Sequence, residues 1–302
     1  AWRRRAVGPP GGGGVAGGRV GPATPAHGRR WGGGFLCPTL GAVDAFVFAR
    51  AGFAPAWIDR DLGHVITPSS DPFGAKNGPL SPSEARAILQ YVGLLGGDGD
   101  AALATFRRRD GSPGRVDRRV DILQTGPPPD PETPLVVQLS RWDRIKDMEG
   151  VLRSFAEHVD RSFGAHLMLV GPAVHGVTDD PEGGEVLDEC IAAWRSLPQS
   201  ARTRIHLACV PMHDPDEAAV IVNALQRHAT VVTQKSLAEG FGLTVVEAMW
   251  KHRPVVASRV GGIVDQIVDG EHGLLIDDPS DLIGFGDAIN RHDLDALMAC
   301  FA

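Results

Sequence analysis

The sequence predicts a parallel α/β sheet covered by helices on both faces, and two observations carry that prediction. From Leu135 onward, short apolar runs alternate with stretches of helical length, the pattern of strands buried on both faces. One of these runs, Ala229-Thr230-Val231-Val232-Thr233, leads through Glu239-Gly240-Phe241-Gly242 into Leu243 to Trp250. A glycine turn therefore joins a buried strand to a short buried helix.

Taken in order, residues 1–34 are dominated by Gly, Pro and Arg. Such a segment cannot bury enough apolar area to offset its ordering entropy, so it is expected to be disordered. Order is expected from Phe35. Val43 to Phe48 alternates as a strand does, and His64 to Thr67 reads as another. Ser81-Pro82-Ser83-Glu84 has the chemistry of a helix start: a capping Ser, Pro at the first position and a reciprocating Glu. That helix is expected to reach about Leu94 and to break at Gly96 to Asp100. Residues 107–119, rich in Arg and Asp, read as an exposed face or loop. Gly126 to Pro131 is proline-stiffened and sets the expected domain boundary, with residues 35–130 before it and 131–302 after it.

Beyond the boundary, strands are expected at Leu135–Leu139, Ala165–Val170, Ile205–Val210, Pro254–Ala257 and Gly273–Ile276. Helices are expected at Met148–Val159, Glu185–Leu197, Asp216–His228 and around Ile263–Val268.

The chain of 302 residues has ample length for a packed core in one or two domains. Its formal charge of −7 argues against a nucleic-acid or membrane-surface partner. Cys37, Cys190, Cys209 and Cys300 are widely spaced, which suggests neither a zinc site nor a disulfide framework. A reducing, cytoplasmic setting is expected. No apolar run is long enough to span a bilayer, and the N-terminal arginines are followed by no apolar signal core. The histidines show no ligand spacing, so no metal or resident cofactor is expected.

Ligands of open parallel sheets bind beyond the carboxyl ends of the strands, and several candidate residues fall there. Gly240 and Gly242 let the backbone come close to a ligand. The helix opening at Leu243 has unpaired N–H groups and a positive dipole end, which suit a phosphate. Glu239 and Glu247 flank that position, and their carboxylates accept hydrogen bonds from sugar hydroxyls. After the strand at Leu135–Leu139, Arg141 and Lys146 are candidates for a diphosphate, with Arg144 a third. Pairing with Asp143 and Asp147 at the surface is the alternative for these three. Gly171 reads as a tight turn or a close approach of ligand. Lys235 could add charge near the phosphates, and Gly261-Gly262 reads as a turn and packing feature. There is no nucleophile elbow and no Walker sequence. A glycosidase, which needs two carboxyls facing across the scissile bond, fits poorly.

The spacing from Glu239 to Glu247 resembles the Glu-x7-Glu motif of retaining glycosyltransferases with the GT-B fold. Leu135 to Asp147, Ile221 to Leu243 and Pro254 to Gly262 resemble the trehalose synthase group of family four more narrowly, with trehalose phosphorylases as near relatives. Phe46 to Arg50, Pro68 to Asn77 and Gly126 to Asp130 are similar too. The resemblance implies transfer of glucose from a nucleoside diphosphate glucose to glucose, with retention, giving trehalose. It also implies roles. Glu239 and the backbone of Gly240, Phe241, Gly242 and Leu243 would hold the donor sugar and diphosphate, and Glu247 would hold the ribose. Arg141 and Lys146 would offset charge growing on the leaving group.

The group carries a whole N-terminal Rossmann-like domain that binds the acceptor, and only its last part is recognisable here. The chain is thus expected to be a truncated member that binds donor without family-like turnover. An apolar face left open is expected to favour self-association, a homodimer being the simplest form. A phosphorylase and a non-catalytic nucleotide-binding fragment are the alternatives.

Overall fold

The computed structural model describes residues 43–174, 181–271 and 273–290. The stretch expected to be disordered, 1–34, lies outside them. Two compact units are present, Ala1–Ser69 and Ser70–Ala302. In the first, β1 (Phe46–Phe48) pairs in parallel with β2 (Gly63–Val65), Val47 opposite His64. Phe46 meets Trp57 edge to face at 6.1 Å between ring centroids.

The second unit opens with α1 (Pro82–Val92), whose start is as the sequence predicts. Ser81 accepts from the Glu84 amide while the Glu84 carboxylate accepts from the Ser81 amide. Gly93, at φ 87°, ends the helix in the left-handed region. Next come β3 (Thr105–Arg107), β4 (Pro113–Arg115), β5 (Asp121–Leu123), β6 (Leu135–Leu139), α2 (Met148–His158) and β7 (His166–Pro172). These are followed by α3 (Pro181–Ser196), the single turn α4 (Gln199–Arg202), β8 (Ile205–Val210), α5 (Pro215–His228) and β9 (Val231–Gln234). The last elements are α6 (Leu243–Trp250), β10 (Val255–Ser258), β11 (Leu274–Ile276) and α7 (Leu282–Asn290).

Seven strands form one sheet in the order β11-β10-β9-β6-β7-β8-β5. All neighbours are parallel except β5, which runs antiparallel to β8. From β6 the chain builds outward through β7 and β8, then returns to the other side of β6 for β9, β10 and β11. The order of building reverses between β6 and β9, and that reversal opens a crevice at the carboxyl ends of these two strands.

Alternate residues of each strand feed two cores. Leu135, Val137 and Leu139 of β6 pack with Ile88 and Leu89 of α1, Leu225 of α5 and Val245 of α6. Val136 faces the opposite layer, with Phe155 of α2, Trp194 of α3 and Phe285 of α7. This period-two division with helices on both faces is the architecture expected from the uninterrupted apolar runs.

The sequence did not indicate the structure between residues 105 and 123. The stretch read as an exposed face or loop, 107–119, holds most of the β3–β4 hairpin, with Phe106 opposite Gly114, and the edge strand β5 follows it. The stretch is fastened to the helix that follows β8 at two points. Arg108 pairs with Asp214 at 2.5 Å, and the Glu217 carboxylate accepts from the Asp117 and Arg118 amides. Arg107, Arg109, Asp110, Arg115, Asp117, Arg118 and Arg119 are all exposed, so the expected exposed face is present, and what the sequence missed is that part of its backbone is strand. The compact unit that holds the sheet therefore begins at Ser70, ahead of the 126–131 linker, because α1 and β5 share the sheet's core and edge. The helix expected around Ile263–Val268 is a short 3-10 turn, Gly261–Asp265.

Candidate active site

Two loops meet at the crevice, one after β6 and one after β9. In the first, Asp143 caps a 3-10 turn, Arg144–Lys146, by accepting from the Ile145 amide at 3.0 Å. Asp147 ends that turn at φ 45°, unusual for a residue with a side chain, and at once caps α2 through the Gly150 amide. These two caps fix the direction in which Lys146 leaves the backbone.

In the second loop, Glu239 reaches Lys146, whose Nζ lies 2.5 Å from Glu239 Oε2. The Gly240 amide donates to the other oxygen of Glu239 at 3.1 Å. Gly242 stands before α6 at φ 92°, a conformation that favours glycine. A Cβ added at Gly240 would meet nothing within 4 Å, so the backbone there borders open space. Behind the loop, the Gly262 amide donates to the Gly240 carbonyl at 3.1 Å. Gly261 lies so close that a Cβ would strike the Glu239 carbonyl. The Gly261-Gly262 turn is thus the wall against which the Glu239–Gly242 loop is formed.

A cavity of about 450 Å³ opens beside these loops. Arg141, Lys146, Gly171 and Glu247 all line it, joined by Gln234 and Thr244. Glu239 is linked to it through Lys146. Gly240, Phe241, Gly242 and Leu243 form the approach to α6, whose first turn reaches the cavity at Thr244. Of the amides of that first turn, Val245 donates to the carbonyl of the capping Gly242 at 3.0 Å, while those of Leu243 and Thr244 precede the first intrahelical acceptor. Glu247 is 2% exposed, and its Oε2 has no hydrogen-bond partner among the described residues. Its Oε1 accepts from Ser70 Oγ at 3.2 Å and pairs with Lys76 Nζ at 2.8 Å. The distal part of the cavity is apolar, with Val170, Pro172, Val210 and Met212. Such a chamber, with cations and a helix N-terminus at one end and apolar walls at the other, suits an anionic ligand with an aromatic or aliphatic body.

Not every candidate goes where the sequence suggested. Arg144 leaves the crevice for α3, where Glu182, Glu185 and Glu189 surround it. Arg141 is 65% exposed and holds Asp143 at 2.8 Å while it borders the cavity. Lys235 does not face the cavity. It is 1% exposed and forms an ion pair with Asp147. Strand alternation explains this, since Gln234 points into the cavity and the next side chain must take the α2 side. Gly171 is not a turn residue but lies inside β7, and the space its Cβ would fill is taken by the Trp142 indole. That indole donates to the Pro172 carbonyl at 3.0 Å.

Gln138 was missed. It is 0% exposed in the middle of β6. Its amide donates to the Lys146 carbonyl at 2.7 Å, and its oxygen accepts from the Lys235 amide at 2.9 Å. One side chain thereby sets the spacing of the two loops that carry Lys146 and Glu239. The signal was present, because a polar side chain within an apolar strand must find partners. Burial pushes the thiols of Cys190 and Cys209 up to about 12 and about 11, so neither is a thiolate nucleophile at neutral pH. No cluster suited to a metal ion exists among the described residues, and no helix among them is long and apolar enough to cross a membrane.

Comparison with known proteins bears on the family and the fold. Residues 133–292 match the family described as Glycosyl transferases group 1. The trehalose synthase of Pyrococcus horikoshii is 31% identical over 249 residues, which are 82% of this chain and 49% of that protein. That of Rubrobacter xylanophilus is 32% identical over 247 residues, 80% of this chain and 47% of that protein. The chain thus spans about half the length of the curated relatives it matches. A trehalose phosphorylase of Grifola frondosa is 30% identical over 55% of this chain and 22% of its own. Among solved structures, Anabaena Alr3699/HepE in complex with UDP and glucose superposes with a TM-score of 0.60 at 17% identity, covering 88% of this chain and 59% of that one. Sucrose-phosphate synthase from Thermosynechococcus elongatus gives 0.56 at 21% identity, over 86% and 52%. These likenesses show the α/β fold of the GT-B type, and the family match states the rest: the chain belongs to the glycosyl transferases group 1.

Proposed function

We propose that this protein transfers glucose from a nucleoside diphosphate glucose to glucose, with retention, to form trehalose, and that the cavity at the β6–β9 crevice holds the donor. The convergence on one cavity of Lys146, the N-terminus of α6 and Glu247, one of whose buried oxygens has no partner among the described residues, carries this reading. The trehalose synthases among the relatives support the choice of sugar and acceptor.

The chemistry follows from the placement. As the bond from the sugar to the diphosphate breaks, negative charge grows on the leaving oxygen. Lys146 offsets that charge, with the first-turn amides of α6 and the Arg141 guanidinium, and this preorganised stabilisation needs no proton transfer to the diphosphate. Glu239 holds Lys146 in place and presents acceptors to the hydroxyls of the donor sugar. Glu247 accepts from a ribose hydroxyl through its free oxygen, while the apolar end of the cavity covers the base.

The test is product analysis with NDP-glucose and glucose. The reading predicts α,α-linked disaccharide and free nucleoside diphosphate in equal amounts. Nucleotide release without disaccharide would overturn transfer to glucose. A second reading, phosphorolysis of trehalose, draws on the trehalose phosphorylases among the relatives. Trehalose formation from glucose 1-phosphate and glucose without nucleotide would favour it.

A further inference from the structure

The segment Ser70–Gly78 lies along α5 and α6 as a strap, and it is fastened residue by residue. Asn223 Nδ2 donates to the carbonyls of Ala75 and Gly78 at 3.0 and 2.9 Å. Arg227 Nη2 donates to those of Asn77 and Gly78 at 3.2 and 3.0 Å. Lys251, 3% exposed, directs its ammonium at Asn77 Oδ1 at 2.8 Å, Gln226 Oε1 at 2.7 Å and the Glu247 carbonyl at 3.2 Å. Asn77 then donates through Nδ2 to Ser70 Oγ at 2.9 Å and to the Asp71 carbonyl at 2.8 Å. Ser70 Oγ in turn donates to Glu247 Oε1 at 3.2 Å. The result is a closed ring, Lys251 to Asn77 to Ser70 to Glu247, completed by the helix itself, since Glu247 and Lys251 are one turn apart on the same face.

None of these contacts belongs to the loops after β6 and β9, yet the ring ends on the carboxylate that lines the cavity. An ammonium with three acceptors is a rigid anchor, and burial pushes Lys251 down to about 7, so the anchor is fully charged only below that pH. Ser70 can donate only one proton. Because Ser70 Oγ already accepts from Asn77, that proton is aimed at Glu247. With Oε1 engaged by Ser70 and Lys76, the plane of the Glu247 carboxyl group is set, and Oε2, buried beside the cavity that Glu247 lines, is the oxygen left without a partner among the described residues.

We propose that Lys251 is a positioning residue for the cavity: through Asn77 and Ser70 it holds the Glu247 carboxylate at the angle that reads a ligand hydroxyl. This rests on the reading of Glu247 as the acceptor for a ribose hydroxyl. It adds that a buried lysine and a strap outside the two loops decide how well that hydroxyl is read. Lys251 does not touch the ligand.

The test pairs protein variants with ligand variants. ADP-glucose, its 2′-deoxy form and its 3′-deoxy form are titrated calorimetrically into wild type, Lys251→Met and Ser70→Ala. Wild type should bind the ribose form about tenfold or more tightly than the weaker deoxy form, as for a hydrogen bond to a charged group. In Lys251→Met the ribose form should weaken while that deoxy form binds as before, bringing the ratio close to one. Ser70→Ala breaks the same ring at a partly exposed site and leaves the core lysine in place. It should reduce the ratio in the same way, which keeps the test decisive if Lys251→Met fails to fold. A general structural role for Lys251 would weaken all ligands alike and leave the ratio unchanged, and that result would overturn the proposal. Wild type that binds all three ligands equally would instead overturn the role of Glu247, and the positioning proposal with it. Absence of any binding by wild type would overturn the donor site itself.

Discussion

At the scale of single residues, the two buried histidines have a consequence for stability. His206 on β8 is fully buried, and its Nε2 lies 2.9 Å from His166 Nδ1 across the β7–β8 pair. Burial, with the neighbouring His166 adding to it, pushes the His206 imidazole down to about 3, and burial and Arg204 lower His166 as well. Below about pH 6.5 an unfolded chain takes up a proton at each of these positions that the folded chain refuses. The contribution of His206 to stability is therefore intact above pH 6.5 and is lost as pH falls toward 3, by up to about 1.4 kcal/mol per pH unit, and His166 acts in the same direction. His206→Gln should flatten that slope, read as urea-unfolding free energies at pH 7, 6 and 5. An unchanged slope would place the acid sensitivity elsewhere. Nothing in the sequence separates these histidines from the other nine, because what matters is the strand pairing that brings β7 and β8 together. Lys235 and Arg144 teach the same lesson. The sequence put a cation near the crevice, but alternation on one side and the glutamates of α3 on the other decided where each side chain went.

At the scale of elements, the turn from β9 to α6 was legible because glycine spacing, apolar strand and short helix are all local signals. The two glycines nevertheless do different work. Gly242 has φ 92° and has Ile263 beside it, so an added side chain is strained there and crowded as well. Gly240 has neither constraint. Gly242→Ala should cost on the order of 1–3 kcal/mol of stability. Gly240→Ala should change stability by less than about 0.5 kcal/mol, yet weaken donor binding because its methyl group would occupy the approach to the loop amides. Thermal unfolding with a donor titration on each variant checks the pair. Equal destabilisation by both, or unaltered donor affinity in Gly240→Ala, would contradict the assignment. Illegible by contrast were the β3–β4 hairpin and β5. Their partners, Asp214, Glu217 and strand β8, lie about a hundred residues further along the chain.

At the scale of the molecule, sheet topology makes the site. The reversal of strand order between β6 and β9 brings Lys146 and Glu239 together from positions 93 residues apart. Gln138, Lys235 and Asp147 then hold the two loops in register, and the ring through Lys251 sets Glu247 from the opposite wall. The alternation of strands and helices was enough to foresee the sheet and the crevice. The cavity's exact occupants required side-chain direction, which a one-dimensional pattern carries only within a single element. The central claim is that this crevice binds a nucleoside diphosphate sugar through Lys146. Calorimetric titration of UDP-glucose and ADP-glucose into wild type and Lys146→Ala tests it most directly. Removing Lys146 takes away a charged hydrogen bond and leaves Glu239 without its cation beside the phosphates, so affinity should fall by on the order of 1.5–3 kcal/mol, roughly ten- to a hundredfold. Equal affinity in the two proteins, or no binding by wild type, would contradict the account.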